Sequence, residues 1–248
     1  MQEDFPLVEE DQVREQLSKL DTHKSMGPDG MHPRVLRELA EVTAGLLSIL
    51  FERSWRTGEV PEDWRKANVT PVFKKGKKED PGNYRPISLT SSPGKMMERL
   101  VLAIISKHLE EKKAIRSSQH GLTKEKSCLT NLIAFYDGMT GCIDEGRAVD
   151  VVYLDFSKAF DIVSHSILIG KLRKGGLDEC TARWIENWLK DRAQRVVISG
   201  TESSWRPVTS GVIGRQNCLN DNKLLWVSQA LTQRYMVTMN PELEGQEL

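Results

Sequence analysis

The residues of this chain best suited to chemistry are acids and bases in unusual company. From Ala148 to Leu168 the sequence reads AVDVVYLDFSKAFDIVSHSIL. Val149, Val151, Val152, Tyr153 and Leu154 form a dense β-branched and aromatic run, which predicts a strand buried on both faces. That run delivers Asp155. A carboxylate there is costly to desolvate unless a cation or strong donors meet it; a metal ion is the usual partner, backbone N–H groups the alternative. Asp161 follows beyond Ser-Lys-Ala-Phe, where an N-cap or solvated turn competes with a second site carboxylate. There is no adjacent Asp-Asp pair anywhere in the 248 residues.

The bases are concentrated elsewhere. Formal net charge is zero, yet Arg65 to Lys126 holds fifteen Lys and Arg against six Asp and Glu, and Met1 to Asp63 seven against fourteen. An acidic third beside a basic third suits a molecule with one face for a polyanion, although solvated helix faces give the same pattern. Cys128, Cys142, Cys180 and Cys218 lie far apart with no C-x-x-C pair, which predicts neither a zinc site nor a disulfide framework. The acidic start MQEDFPLVEED is unlike a signal peptide, and no apolar run is long enough to span a membrane. The expectation is a soluble, intracellular protein without a membrane partner, its nuclear or cytoplasmic location open.

Periodicity supplies the elements. Val13, Leu17 and Leu20 predict a short helix, SMGPDG a turn, and Arg34 to Thr57 an amphipathic helix with Val35, Leu36, Leu39, Leu46, Leu47, Leu50, Phe51 and Trp55 as its core stripe, stopped by Gly58. A helical turn from Pro61 precedes the strand VTPVF, the charged KKGKKEDPG reads as a loop or hairpin tip, and PISL is extended. Helices follow over Pro93 to Ile115, Ser127 to Glu145, Ser164 to Lys174 and Asp178 to Arg192, the last capped by Asp178 and burying Trp184, Ile185, Trp188 and Leu189. QRVVISG and SWRPVTSGV form a hairpin around GTESS. Strands mixed with many helices in this order point to an α+β fold, with mixed or antiparallel strands.

Four ordered stretches carry a resemblance. LDFSKAFDIVSH, SMGPDGMHPRVLREL, VTPVFKKGKKEDPGNYRPISLTSSPGKMMERL and QHGLTKEKSCLTNLIAFYD resemble motifs of the reverse transcriptases of non-LTR (LINE-type) retrotransposons, most like the jockey and chicken-repeat group. The resemblance runs from about residue 8 to Val212. It implies a right-hand polymerase: an N-terminal helical extension over 1–63, fingers over 64–147 and a partial palm over 148–212, with 213–248 unlike the family. It implies RNA template, DNA primer and deoxynucleoside triphosphates as partners and Mg²⁺ as cofactor, because in-line phosphoryl transfer is stabilised by two metal ions held by oxygen ligands.

Residue by residue, the resemblance implies Asp155 and the backbone carbonyl of Phe156 as metal ligands. Phe160 would lie under the incoming sugar and exclude a 2′-hydroxyl, or else be a packed core side chain. Arg85, with Lys74 or Lys75, would contact the triphosphate. Gln119, His120 and Gly121 would hold the template. After Val212 the family has Pro-Gln-Gly, a long apolar helix and an Asp-Asp hairpin, where this chain has Ile213-Gly214-Arg215-Gln216 and only Asp221 in LNDNK. The expectation is therefore a truncated reverse transcriptase domain, inactive alone, with a non-catalytic RNA or RNA–DNA binding remnant and a retrotransposon relic without function as alternatives. The family's endonuclease domain is not expected here.

Overall fold

The computed structural model describes residues 8–121, 123–152 and 163–211. Helix α1 (Glu10–Ser18) buries Val13 and Leu17 completely, in line with their spacing. The turn that follows closes with Gly30 N–H donating to the Gly27 carbonyl at 3.2 Å, and Gly30 takes φ +68°. Gly27 itself is buried. A Cβ there would lie 2.5 Å from the Thr90 carbonyl oxygen and 2.8 Å from the Ser91 nitrogen. The loop can therefore press its backbone onto the start of helix α5 (Ser92–Glu111) only because residue 27 has no side chain.

The expected single helix over Arg34 to Thr57 is two helices, α2 (Pro33–Glu38) and α3 (Ala40–Thr57), broken at Leu39 with φ −96° and ψ 17°. The break turns a different stripe inward. Ala40, Ala44, Ser48, Phe51 and Trp55 are buried, while Val42, Leu46 and Ile49 are each at least 67% exposed. Small residues win the inner face because α1 approaches closely: a Cβ on Gly45 would stand 3.2 Å from Glu10 Oε2, and Arg14 Nε meets Glu41 at 3.0 Å. Of the anticipated stripe, Leu36, Phe51 and Trp55 are core, and Val35, Leu39, Leu46 and Leu50 are exposed. Gly58 ends α3 in the left-handed region at φ +75°.

A four-residue helix, α4 (Glu62–Arg65), leads directly into β1 (Lys66–Phe73), which pairs antiparallel with β2 (Tyr84–Leu89). After α5 come α6 (Cys128–Asp144), α7 (His165–Lys174) and α8 (Glu179–Leu189). Asp178 caps α8 by accepting from Thr181 N–H at 2.8 Å, and Trp184, Ile185, Trp188 and Leu189 are all buried. Helix α8 docks on the end of α3: Trp184 Nε1 donates to Ser54 Oγ at 3.0 Å and Asn187 Nδ2 to the Gly58 carbonyl at 3.0 Å. The stacked Trp184 and Trp188 rings, 6.2 Å apart, sit in one continuous apolar core with Phe51, Trp64, Met96, Met97 and Val101.

Three strands follow: β3 (Arg192–Ile198), β4 (Thr201–Glu202) and β5 (Arg206–Val208). The expected hairpin forms, β4 and β5 both pairing antiparallel with β3. Strand β3 also lies parallel to β1, Lys66–Val69 opposite Ala193–Val196, so the sheet is mixed and ordered β2-β1-β3-β4 with β5 on β3. Helices and a mixed sheet make this an α+β protein.

Two expectations for the middle of the chain need correction or fall outside the description. Val149–Val152 forms no strand and Val152 is 59% exposed; among the described residues none of β1–β5 supplies this segment with a ladder partner. Tyr153 to Ile162 lies outside the described residues. The preceding helix α6 is correctly bounded and well capped, with Ser127 and Thr130 forming a reciprocal capping box, yet none of its described residues is buried. Leu129, Leu132, Ile133, Tyr136 and Ile143 face solvent.

The close approach at Gly27 is testable. Gly27→Ala forces a Cβ against backbone atoms that have no rotamer to escape into, and should lower unfolding stability by about 1–3 kcal/mol in a urea titration. Gly30→Ala, which meets nothing within 4 Å and pays only for its positive φ, should cost less.

Candidate nucleotide and nucleic-acid interface

The charged tip between β1 and β2 is a built structure. Lys74 N–H extends the ladder by donating to the Asn83 carbonyl at 2.8 Å, and Asp80 Oδ1 accepts from Gly82 N–H at 2.8 Å. Asn83 Nδ2 reaches back to the Lys77 carbonyl and Tyr84 hydroxyl to that of Lys78, both at 2.9 Å. Gly76 turns the chain at φ +93°, where a Cβ would be 2.6 Å from Asn83 Nδ2. The edge-to-face pair Phe73 and Tyr84, 5.5 Å apart, closes one face of the tip, with Lys78 Nζ 5.9 Å from the Phe73 ring.

The opposite face carries the bases. Val72 is the cross-strand partner of Arg85, and side chains alternate along each strand while directly opposed residues project the same way. Lys74, two residues beyond Val72, therefore shares a face with Arg85. Both are exposed. Lys75 lies beyond the end of β1, in the tip, and is exposed as well. Two cations on one face of a braced hairpin have the charge and the donors that a polyanionic group such as a triphosphate would require.

Beneath the other face of the sheet lies a layer of charge that sequence reasoning missed. Arg192, the first residue of β3, is 2% exposed and stacks on Trp188 at 4.1 Å. Burial pulls its guanidinium down to about 10 despite the opposing Glu98. Burial likewise pushes the Glu98 carboxyl up, against the pull of Arg192 and Lys95. Lys95 is brought down to about 8, mainly by burial, with Lys24 and Arg99 acting in the same direction and Glu98 and Asp29 against it. The one available signal was the spacing of Trp188 and Arg192, four apart across the end of an amphipathic helix.

Gln119, His120 and Gly121 lie in the connection from α5 to α6. His120 Nδ1 is 3.0 Å from Thr130 Oγ1, which belongs to the capping box of α6, and Gln119 Nε2 donates to the Gly121 carbonyl at 3.0 Å. Gly121 is exposed, and a Cβ there would stand 3.6 Å from Gln119 Nε2, an ordinary van der Waals contact. The motif is thus anchored on a helix start, on a different element from the Lys74 and Arg85 face. Asp155, Phe156, Phe160, Asp161 and Asp221 lie outside the described residues. The described residues resume at Val163, whose carbonyl accepts from Gly211 N–H at 3.0 Å, while His165 Nε2 is 2.8 Å from the Gly211 carbonyl. Among the described residues no three Asp, Glu, His or Cys side chains converge, so these residues alone do not form a divalent-metal site. No helix among them is long and apolar enough to cross a membrane.

Residues 74–213 match the family described as reverse transcriptase (RNA-dependent DNA polymerase). The chain belongs to that family. It is 28% identical over 203 residues, 82% of its length, to the RNA-directed DNA polymerase from mobile element jockey of Drosophila melanogaster. It is 33% identical over 141 residues, 57% of its length, to the retrovirus-related Pol polyprotein from type-1 retrotransposable element R2 of Popillia japonica. The resemblance to reverse transcriptases of non-LTR retrotransposons is thereby borne out. The matches cover 22% of the jockey protein and 19% of the R2 polyprotein, so the chain spans about a fifth of the length of these relatives. Within the family, enzymes use divalent metal ions, RNA templates and nucleotides. The matched stretch begins at Lys74 and takes in Lys75, Arg85, the Gln119 motif and Asp155.

Lys95 makes this region sensitive to pH. Its folded pKa is lower than its unfolded one, so below about pH 8 the lysine is charged in both states and its burial costs stability. Between about 8 and the ordinary value of 10.5 the unfolded chain holds more protons, so the Lys95 contribution to stability rises with pH, by up to about 3 kcal/mol. Lys95→Met should be more stable than the parent near pH 7, and the difference should shrink toward pH 10 in paired urea titrations.

Proposed function

We propose that this chain is the fingers and part of the palm of a retrotransposon reverse transcriptase. On this reading Lys74 and Arg85 neutralise the triphosphate of an incoming deoxynucleotide, with Lys75 in support from the tip, and Gln119, His120 and Gly121 follow the RNA template ahead of the primer end. Asp155 and the Phe156 carbonyl are its ligands for Mg²⁺, and Phe160 is its discriminator against a 2′-hydroxyl. The observation that carries the reading is the shared face of Lys74 and Arg85, in a hairpin braced well enough to hold two like charges beside one another. The bracing fixes the backbone that carries these donors, while their exposed side chains still lose rotamer freedom on binding.

On its own, this chain binds but does not polymerise. One carboxylate cannot hold two mutually repelling cations, and loss of such an electrostatic element costs several kcal/mol of barrier. The 248 residues contain no Asp-Asp pair to complete the set. What remains is a basic surface whose grip on RNA is electrostatic and requires no magnesium.

The test is primer extension on an RNA template with a DNA primer, in Mg²⁺ and in Mn²⁺, beside binding of a fluorescent deoxynucleoside triphosphate. No extension is expected. Arg85→Ala should weaken triphosphate binding roughly tenfold or more, as expected for loss of charge-assisted hydrogen bonds. Extension that Asp155→Ala abolishes would overturn the claim of inactivity. Triphosphate binding indifferent to both Arg85→Ala and Lys74→Ala would overturn the assignment of the hairpin.

A further inference from the structure

At the far end of the same sheet face, a second group of planar and cationic side chains stands apart from the triphosphate residues. Ala193 pairs with Pro207 and Asn68 with Arg195, so alternation places Lys66, Asn68, Arg195 and Trp205 on the side of the sheet that carries Lys74 and Arg85. The Arg195 guanidinium lies 4.6 Å from the Trp205 ring centroid, and its Nε donates to Asn68 Oδ1 at 2.8 Å. Lys66 Nζ is 5.9 Å from the same ring. Trp205 nevertheless remains 38% exposed. Two acids attend the group, Glu62 at 2.6 Å from Lys66 and Glu202 on Arg195.

From this arrangement we infer that Trp205 and Arg195 form a binding subsite for single-stranded RNA on the open face of the sheet, separate from the triphosphate site. The inference rests on the reading of this sheet as reverse-transcriptase fingers. Four features favour a polynucleotide. The face carries Lys66, Lys74, Arg85 and Arg195 against Glu202 alone among its strand residues, so its charge complements a polyanion. An indole and a guanidinium held together offer a flat surface for a base and a cation for the adjoining phosphate. The ion pairs to Glu62 and Glu202 are partly exposed, of a kind worth little in water, so phosphates can replace the carboxylates. Asn68 and Val72, the β1 residues opposite Arg195 and Arg85, are four residues apart, about 13 Å of strand, a span that a few nucleotides of an extended single strand can bridge.

The experiment uses the full chain and a labelled 20-nucleotide single-stranded RNA, with binding read by fluorescence anisotropy over a salt series. Trp205→Ala and Arg195→Gln should each weaken binding roughly tenfold, in the range of a lost base stack, and Trp205→Phe should recover most of the loss. In the unaltered chain, hydroxyl-radical footprinting read by mass spectrometry should show Trp205 protected when RNA is added, a readout that holds even if a variant misfolds. Triphosphate binding should be unchanged in Trp205→Ala. RNA binding with no protection of Trp205 would overturn this subsite and leave the hairpin assignment standing. Binding of RNA by none of the proteins would overturn this subsite together with the RNA-binding reading of the basic surface, while triphosphate binding separately decides the hairpin assignment.

Discussion

The fold depends on four rungs of parallel pairing, Lys66–Val69 against Ala193–Val196. Parallel neighbours cannot be joined by a tight turn, and here the crossover includes α5 to α8, so the strands must be brought together by something other than their own ladder. The docking of α8 on α3 does this. Arg183 donates to the Arg56 carbonyl at 2.9 Å, Asn187 to that of Gly58, and Trp184 to Ser54, all at the point where α3 ends. Each helix then releases its strand within a few residues, α3 through the short α4 into β1 and α8 through Lys190 and Asp191 into β3. Arg65 and Asp191, 3.5 Å apart, mark the shared starting line.

What was legible in the sequence was local. Asp178 capping α8, the start of α6 at Ser127, Gly58 ending α3 and the Gly27 to Gly30 turn are all decided within four or five residues, and each was readable from local sequence. The inward face of α3 was not, because it depends on the approach of α1: apolar content points to Leu46 and Leu50, but close packing selects Ala40 and Ala44. The same holds for Val149 to Val152. β-branched residues favour a strand, yet a strand exists only where a neighbour offers its backbone, and that is a property of the whole sheet.

The candidate site divides along the same line. Arg85 and Lys74 were found by resemblance, and only the register of β1 against β2 reveals that they share a face. Arg195 and Trp205 carry no motif of their own. They become a pair through the turn between β3 and β5 and acquire Asn68 and Lys66 as neighbours through a contact 127 residues away in sequence. The buried Arg192 is hidden for a different reason: an arginine opening a strand reads as surface, and its burial is offset by stacking on Trp188, a 3.4 Å hydrogen bond from its Nη1 to the Trp188 carbonyl and the facing Glu98.

A single alternation along β1 therefore determines both sides of the molecule. Ala67 and Val69 are buried, while Lys66, Asn68 and Thr70 between them look outward. A slip of one residue in that strand would send Lys66 and Asn68 into the core and bring Ala67 and Val69 to the surface, so register is strongly specified. Arg192 fixes it further from the other strand, since its guanidinium has a place on Trp188 only when Arg195 points to Asn68 on the opposite side. The burial that stabilises the lower face is thus the same constraint that holds Lys74, Arg85, Arg195 and Trp205 on the upper one. A binding surface assembled from strands this distant in sequence owes its alignment to the core beneath it.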